Sequence, residues 1–176
     1  MQTRKFLKLA ILALLLGAGL AARAANELDT AQKLWLAGQR PQAIATIEQA
    51  LKATPDELKL RFALGVMKME TGEREDAARI FTALTQDFPD LSDPFNNLAV
   101  IHAGTGDLDQ AQADLEQALR LQPDNAQAQE NMGDLMLRLA QRAYQRAQGA
   151  QIAPSDALAL KLKRTQDLIK ASTSGR

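Results

Sequence analysis

The sequence predicts an all-α protein assembled from a short array of helical hairpins, and two observations support this prediction. The strong helix formers Ala and Leu supply 32 and 28 of the 176 residues, whereas Val occurs only twice. A proline, a glycine and an alanine also recur three times along the chain, each at the same constant spacing. The columns are Pro55, Pro89 and Pro123; Gly38, Gly72 and Gly106; and Ala43, Ala77 and Ala111. A fixed period of about 34 residues indicates a repeat array.

The first 24 residues have the pattern of a secretory signal peptide. Three basic residues precede an uncharged Leu/Ala-rich run of twelve residues, Leu9 to Leu20. Ala22 and Ala24 then place small side chains at the two positions that a signal peptidase reads. The run is shorter than the roughly 20 residues that a membrane-spanning helix needs. We expect cleavage after Ala24 and a periplasmic or secreted bacterial protein; the alternative is a leader retained as a membrane anchor.

Composition and charge exclude several classes of function. The chain has no cysteine and one histidine, which rules out disulfide scaffolds, thiol catalysis and multi-histidine metal sites. Cleavage after Ala24 leaves 17 basic and 21 acidic residues, a formal charge of −4. Nucleic acid is not an expected partner, because phosphate binding needs a clustered positive surface.

The constant period divides most of the chain into three repeats, each predicted to form two helices. The repeats are residues 25–57, 58–91 and 92–125. In the third repeat, Ser92 or Asp93 is expected to cap a first helix that starts at Pro94, where the missing N–H costs nothing. Gly104 to Gly106 is then expected to close that helix, because glycine tolerates the left-handed conformation needed beyond a helix end, and Asp107 is expected to start the second helix.

A fourth repeat starts after the third but departs from the pattern, because no glycine arrives on schedule. One longer helix is predicted to about Gln148, and Ser155 or Asp156 is expected to cap a last amphipathic helix. The inner stripe of that helix is Leu158, Leu162, Thr165 and Ile169. Residues 126–171 are therefore predicted to be a partial fourth repeat with a capping helix, and residues 172–176 a disordered tail.

These repeats resemble the tetratricopeptide repeat (TPR) family. That family marks its first helix with a large residue, Leu, a small residue and Tyr, and its second with Ala, an aromatic residue, Ala and Pro. The third repeat matches best, through Phe95, Leu98, Ala99, His102, Gly106, Ala111, Leu115, Ala118 and Pro123. The resemblance implies a right-handed α-solenoid of TPR hairpins with a C-terminal capping helix pair. The small residues expected to bring its helices close are Ala43, Gly65, Ala77, Ala99, Ala111 and Gly133.

In this family the first helices line a concave groove that holds peptides or helices of partner proteins. The matching positions of this chain are Leu28, Gln32 and Trp35, then Phe62, Val66 and Met69, then Asn96 and Val100. Trp35 and Phe62 are the predicted anchors, since truncating an aromatic anchor often costs about 2 kcal/mol or more; packing against a neighbouring helix is the alternative for both. The best-matched ligand is an amphipathic segment with an apolar stripe and a few positive charges.

No reactive chemistry is predicted. His102 is assigned to helix packing, because the spacing supplies no nucleophile or carboxylate beside it. The resemblance therefore implies a non-enzymatic protein–protein adaptor that works without a cofactor or metal, and the leader pattern places it in the bacterial cell envelope. Two alternatives stay open: a self-assembling structural protein whose groove takes a neighbouring copy's terminal helix, and an enzyme of unfamiliar type.

Overall fold

A computed structural model describes residues 23–150 and 155–174, and every regular element within those two ranges is an α-helix. The first, α1, covers residues 23–36. The others are α2 (Arg40–Ala53), α3 (Leu58–Glu70), α4 (Arg74–Asp87), α5 (Ser92–Thr105), α6 (Leu108–Leu121), α7 (Ala126–Gly149) and α8 (Asp156–Ser174). The all-α prediction is confirmed. The predicted leader lies almost entirely outside the described residues.

The helices pack in consecutive pairs within two compact units, which divide after Asp87. The N-terminal unit is built on buried residues of α1, α2 and α3: Ala24, Ala31, Ala43, Ile44, Ile47, Leu60 and Met67. The C-terminal unit is built on buried residues of α5, α6 and α7: Ala99, Ala111, Leu115, Ala118, Ala128 and Leu135. Each core therefore draws on helices from more than one hairpin. In the described part of the chain, no helix is both long and apolar enough to span a membrane.

The recurring glycines close the turn within each hairpin. Gly38, Gly72 and Gly106 have φ values of 76°, 89° and 87°, in the left-handed region that side chains with a Cβ atom rarely adopt. At the third turn, the Gly106 N–H donates to the Ala103 carbonyl and the Asp107 N–H donates to the His102 carbonyl. These bonds satisfy carbonyl groups left free at the end of α5. The glycine column in the sequence is thus a backbone requirement.

The expected helix starts are confirmed at two positions and wrong at a third. The Asp107 carboxylate accepts from the Gln110 N–H at 3.2 Å, and the Ser155 hydroxyl oxygen accepts from the Leu158 N–H at 3.3 Å. In α5, however, the helix begins at Ser92 and no side chain caps it. The buried Ser92 hydroxyl instead donates to the Ala118 carbonyl at 3.0 Å. Ala118 is distant from Ser92 in the sequence. Local spacing therefore does not reveal that its carbonyl, and not the start of α5, binds the Ser92 side chain.

The predicted disordered tail is wrong for residues 172–174, because α8 continues through Ser174. The sequence of α8 contains neither glycine nor proline, so nothing in it breaks the helix. The Ser172 hydroxyl also donates to the Ile169 carbonyl at 3.0 Å, within the last turns of α8. Residues 175–176 lie outside the described part of the chain.

Five of the six predicted small-residue contacts are buried, and Gly133 is the exception. A Cβ atom added at Gly65 would lie 2.8 Å from Phe81 Cζ, whereas one added at Gly133 would meet no atom within 4 Å. Phe81 stands 16 residues after Gly65 and lies on α4, the helix that follows α3. The residue 16 positions after Gly133 is Gly149, which has no side chain and still belongs to α7. No bulky side chain therefore arrives from a following helix, and the prediction is wrong at Gly133.

Candidate partner-binding surface

A cavity of about 270 Å³ opens between α1 and α3 in the N-terminal unit. Its lining residues are Ala24, Ala25, Leu28, Asp29 and Gln32 on α1, with Glu57, Lys59 and Leu60 at the start of α3. Leu28 and Gln32 are two of the positions predicted to face a partner. The structure brings them together on one wall, one helical turn apart. We call this feature the α1/α3 cavity.

The floor of the α1/α3 cavity is apolar and its lining carries charge. Leu28 packs against the N-terminal core, and Leu60 is fully buried within it. Asp29 and Glu57 supply carboxylates and Lys59 an ammonium group, and the Asp29 carboxylate already accepts from Lys33 Nζ at 2.6 Å. The volume exceeds the about 150 Å³ of an apolar cavity that holds a benzene ring. The cavity thus has room for an apolar side chain that is followed by a positive charge.

The two predicted aromatic anchors make contacts inside the N-terminal unit. Trp35 is half-buried against its core, and the Arg40 guanidinium carbon lies 5.1 Å from the indole centroid. Phe62 is also half-buried and meets Phe81 edge to face, with ring centroids 5.6 Å apart. Neither side chain lines the α1/α3 cavity. Part of the surface of each ring is therefore used in packing.

The other predicted positions differ in how much surface they expose. Val66 and Met69 are half-buried on α3, and Val100 is half-buried on α5. Asn96 is buried in the C-terminal unit, where its side-chain carbonyl accepts from Asn131 Nδ2 at 2.8 Å. This bond links α5 to α7, two helices that are not neighbours in sequence. Asn96 therefore contributes to the packing of the C-terminal unit.

A carboxylate does lie beside the single histidine, contrary to the expectation from spacing. His102 Nδ1 on α5 is 2.6 Å from Asp114 Oδ2 on α6, and Gln110 Nε2 donates to the other Asp114 oxygen at 3.0 Å. Asp114 is buried and stands one position before the core residue Leu115 on α6. The antiparallel pairing of α5 with α6 could therefore have indicated that Asp114 lies beside His102. Among the described residues, no cluster of three or more potential metal ligands exists.

Lys68 takes the position where the TPR pattern has Tyr, and it joins three elements of the N-terminal unit. Its ammonium group on α3 lies 2.7 Å from Glu73 in the following turn and 3.2 Å from Glu48 on α2. The hydrogen bond to Glu73 is the main reason that the pKa of Lys68 is raised, while burial opposes the shift. The same bond, aided by Thr71, lowers the pKa of Glu73.

Replacing Lys68 with Met should move the pKa of Glu73 up toward its usual value of about 4.3. A carboxylate whose pKa is lowered in the folded state adds stability above its unfolded pKa, and this stability is lost as pH falls through the folded pKa. NMR titration of the Glu73 side-chain carbon checks the shift. Lys52→Met, on the exposed face of α2, is the matched control. An unchanged Glu73 titration in Lys68→Met would contradict the ion pair.

Two tetratricopeptide repeat family models match the chain, one over residues 34–98 and the other over residues 92–125. Together they span residues 34–125, just over half of the 176-residue sequence. Among curated proteins, none matches this sequence.

Solved structures with the same fold include two TPR proteins and MamA. The second TPR domain of human RPAP3, in complex with an HSP70 peptide, is 20% identical over 66% of this chain and 98% of its own, with a TM-score of 0.60. YrrB, a TPR protein with an unusual peptide-binding site, is 23% identical over 62% of this chain and 57% of its own, with a TM-score of 0.58. MamA from Desulfovibrio magneticus is 13% identical over 85% of this chain and 76% of its own, with a TM-score of 0.61.

At these identities the structural likeness establishes the fold, a TPR-like solenoid of consecutive helical hairpins. The family consists of scaffolds that are typically non-enzymatic, which agrees with the expectation that this chain is not an enzyme. With two family models covering the three predicted repeats almost completely, the chain belongs to the tetratricopeptide repeat family.

Proposed function

We propose that the chain is an adaptor of the bacterial cell envelope that binds an amphipathic segment of a partner protein at the α1/α3 cavity. The observation that carries this proposal is the position of Leu28 and Gln32, two predicted groove residues, on the wall of that cavity. The complex of another TPR protein, human RPAP3, with an HSP70 peptide supports peptide binding by a chain of this fold. Binding needs no cofactor, because the cavity offers apolar surface and charge.

The chemistry of the cavity indicates what the partner segment presents. An apolar side chain would displace water from the exposed part of Leu28, which is favourable in proportion to the area covered. A neighbouring Lys or Arg would meet Glu57, whose carboxylate makes no capping bond at the start of α3. This combination describes a basic amphipathic helix laid along a groove.

A photo-crosslinking amino acid at Gln32 tests the adaptor function in the living bacterium. We expect it to trap a specific envelope protein other than this chain, because Gln32 is exposed on the cavity wall. The matched control places the same probe at Leu36, which is 86% exposed on α1 but does not line the cavity. Equal capture from both positions, or capture of copies of this chain alone, would contradict the adaptor proposal.

The same material tests the proposed export. We infer cleavage after Ala24, so the recovered chain should begin at Ala25 and should fractionate with the periplasm. Ala24 packs in the N-terminal core and Ala25 lines the cavity, so this cut would remove one buried methyl group and place the new amino terminus at the cavity. A chain that keeps residues 1–24, or one recovered from the cytoplasm, would refute the proposed export.

A further inference from the structure

The last helix carries a stripe of four apolar residues around one arginine, and no other described element covers it. Ala157, Leu160, Arg164, Leu168 and Ala171 recur at intervals of three or four residues, so they share one face of α8. All five are exposed, with Leu160 at 47% and Leu168 at 55%. We call this face the α8 stripe. It extends for about 21 Å, since each helical residue rises about 1.5 Å.

Another face of α8 already has a partner, so the stripe is not needed for packing within the C-terminal unit. Leu158, Leu162 and Ile169 are half-buried and Thr165 is buried where α8 packs against α7. A helix that is apolar on two faces usually has both of them covered. The α8 stripe is therefore an uncovered surface for which the structure of a single chain provides no explanation.

The α8 stripe complements the α1/α3 cavity in the size of its apolar side chains and in one pair of opposite charges. Leu160 and Leu168 are apolar side chains of a size that the cavity accommodates, and Arg164 lies midway between them. Lys161 flanks the stripe and adds a second positive charge. The cavity lining holds two carboxylates and the ammonium group of Lys59; Asp29 is already paired with Lys33, so the carboxylate on offer is that of Glu57. Within the described residues, neither the Arg164 guanidinium nor the Glu57 carboxylate has an ion-pair partner. Both charges are available for a contact.

We propose that the α8 stripe of one copy docks into the α1/α3 cavity of a second copy. This inference rests on the proposed use of the cavity as a binding surface and names one of its occupants. Leu160 or Leu168 enters the cavity, and Arg164 pairs with Glu57. The contact joins two different surfaces, so it is heterologous, and repeated contacts build an open chain or a ring. The stripe is short, so the association is weak and reversible.

Two variants that each lose one half of the contact test the proposal. Leu160→Glu with Leu168→Glu alters the stripe, and Gln32→Trp fills the cavity; all three positions are exposed, so the fold is retained. In sedimentation velocity over about 10–500 μM, a range suited to a weak interface, the unmodified protein should gain mass with concentration. Each variant alone should stay monomeric, and an equimolar mixture should form a species of two chains and no larger.

The mixture gives the decisive result, because the stripe variant keeps an intact cavity and the cavity variant keeps an intact stripe. An unmodified protein that stays monomeric, or a mixture that does not associate, overturns the proposal. So does a variant that associates by itself as strongly as the unmodified protein. Leu36→Glu is the control, since Leu36 is the most exposed large apolar residue in the described part of the chain but lies outside the cavity. It should leave association unchanged.

A charge exchange tests the predicted register of the contact. Arg164→Glu should weaken association by about two- to fivefold, and Glu57→Arg in the same chain should restore it, because the pair is re-formed with its charges reversed. Restoration is a result that general damage to either surface would not produce. If Glu57→Arg fails to restore association, Arg164 does not meet Glu57 and the proposed docking is wrong.

The experiments separate this inference from the adaptor function. Capture of a different envelope protein at Gln32, together with failure of the mixing experiment, leaves the adaptor function standing and removes the self-association. If the probe captures only copies of this chain and the two variants associate when mixed, the self-association stands and the adaptor function is removed.

Discussion

Replacing Phe81 with Ala is expected to destabilise the N-terminal unit by about 3–5 kcal/mol. Phe81 is fully buried, contacts Gly65, and meets the ring of Phe62 edge to face. Its removal would leave a cavity between α3 and α4 that these rigid helices cannot close completely. Urea unfolding followed by circular dichroism measures the loss. Thr82→Ala, at the exposed position next in sequence, should change stability by no more than about 0.5 kcal/mol.

The contact between Gly65 and Phe81 predicts that their substitutions are not additive. Alanine is usually favoured over glycine inside a helix by roughly 0.5–1 kcal/mol, yet Gly65→Ala should destabilise the chain. Its Cβ atom would lie 2.8 Å from Phe81 Cζ, and that ring has no room to move in the core. In a Phe81→Leu background, where the clashing atoms are gone, the penalty should shrink. An equal penalty in both backgrounds would contradict this close approach.

Replacing Ala111 with Trp is expected to destabilise the C-terminal unit by about 1–3 kcal/mol. Ala111 is fully buried on the face of α6 that packs with Ala99 and Leu115. An indole there forces apart helices that approach closely because the residue is small. The matched control is Ala113→Trp, since Ala113 is exposed on the same helix. Similar unfolding midpoints for the two variants would show that α6 does not pack through Ala111.

Much of the fold follows from local pattern, because a repeat array depends on contacts between neighbours. The spacing of Pro, Gly and Ala predicted the hairpins, and the left-handed turn at Gly106 followed from the properties of glycine alone. Long-range contacts did not follow. The Ser92 hydroxyl bonds to Ala118, and His102 pairs with Asp114, because tertiary packing places groups together that the period does not mark.

The candidate site was predicted only in part for a similar reason. Leu28 and Gln32 follow from the repeat pattern of α1, since each occupies a fixed place in the family. Glu57 and Lys59 stand where the chain enters α3, outside the periodic apolar face, so no pattern indicated them. The exposed face of α8 was not predicted either, because its two leucines lie outside the inner stripe by which the helix was recognised as amphipathic.

The two compact units each contain one strong natural fluorophore. Trp35 is the only indole of the chain and belongs to the N-terminal unit, whereas Tyr144 is the only phenol and belongs to the C-terminal unit. Indole emission therefore reports on the environment of one unit, and phenol emission reports on the other. Fluorescence spectra of the unlabelled protein can thus distinguish unfolding of the N-terminal unit from unfolding of the C-terminal unit.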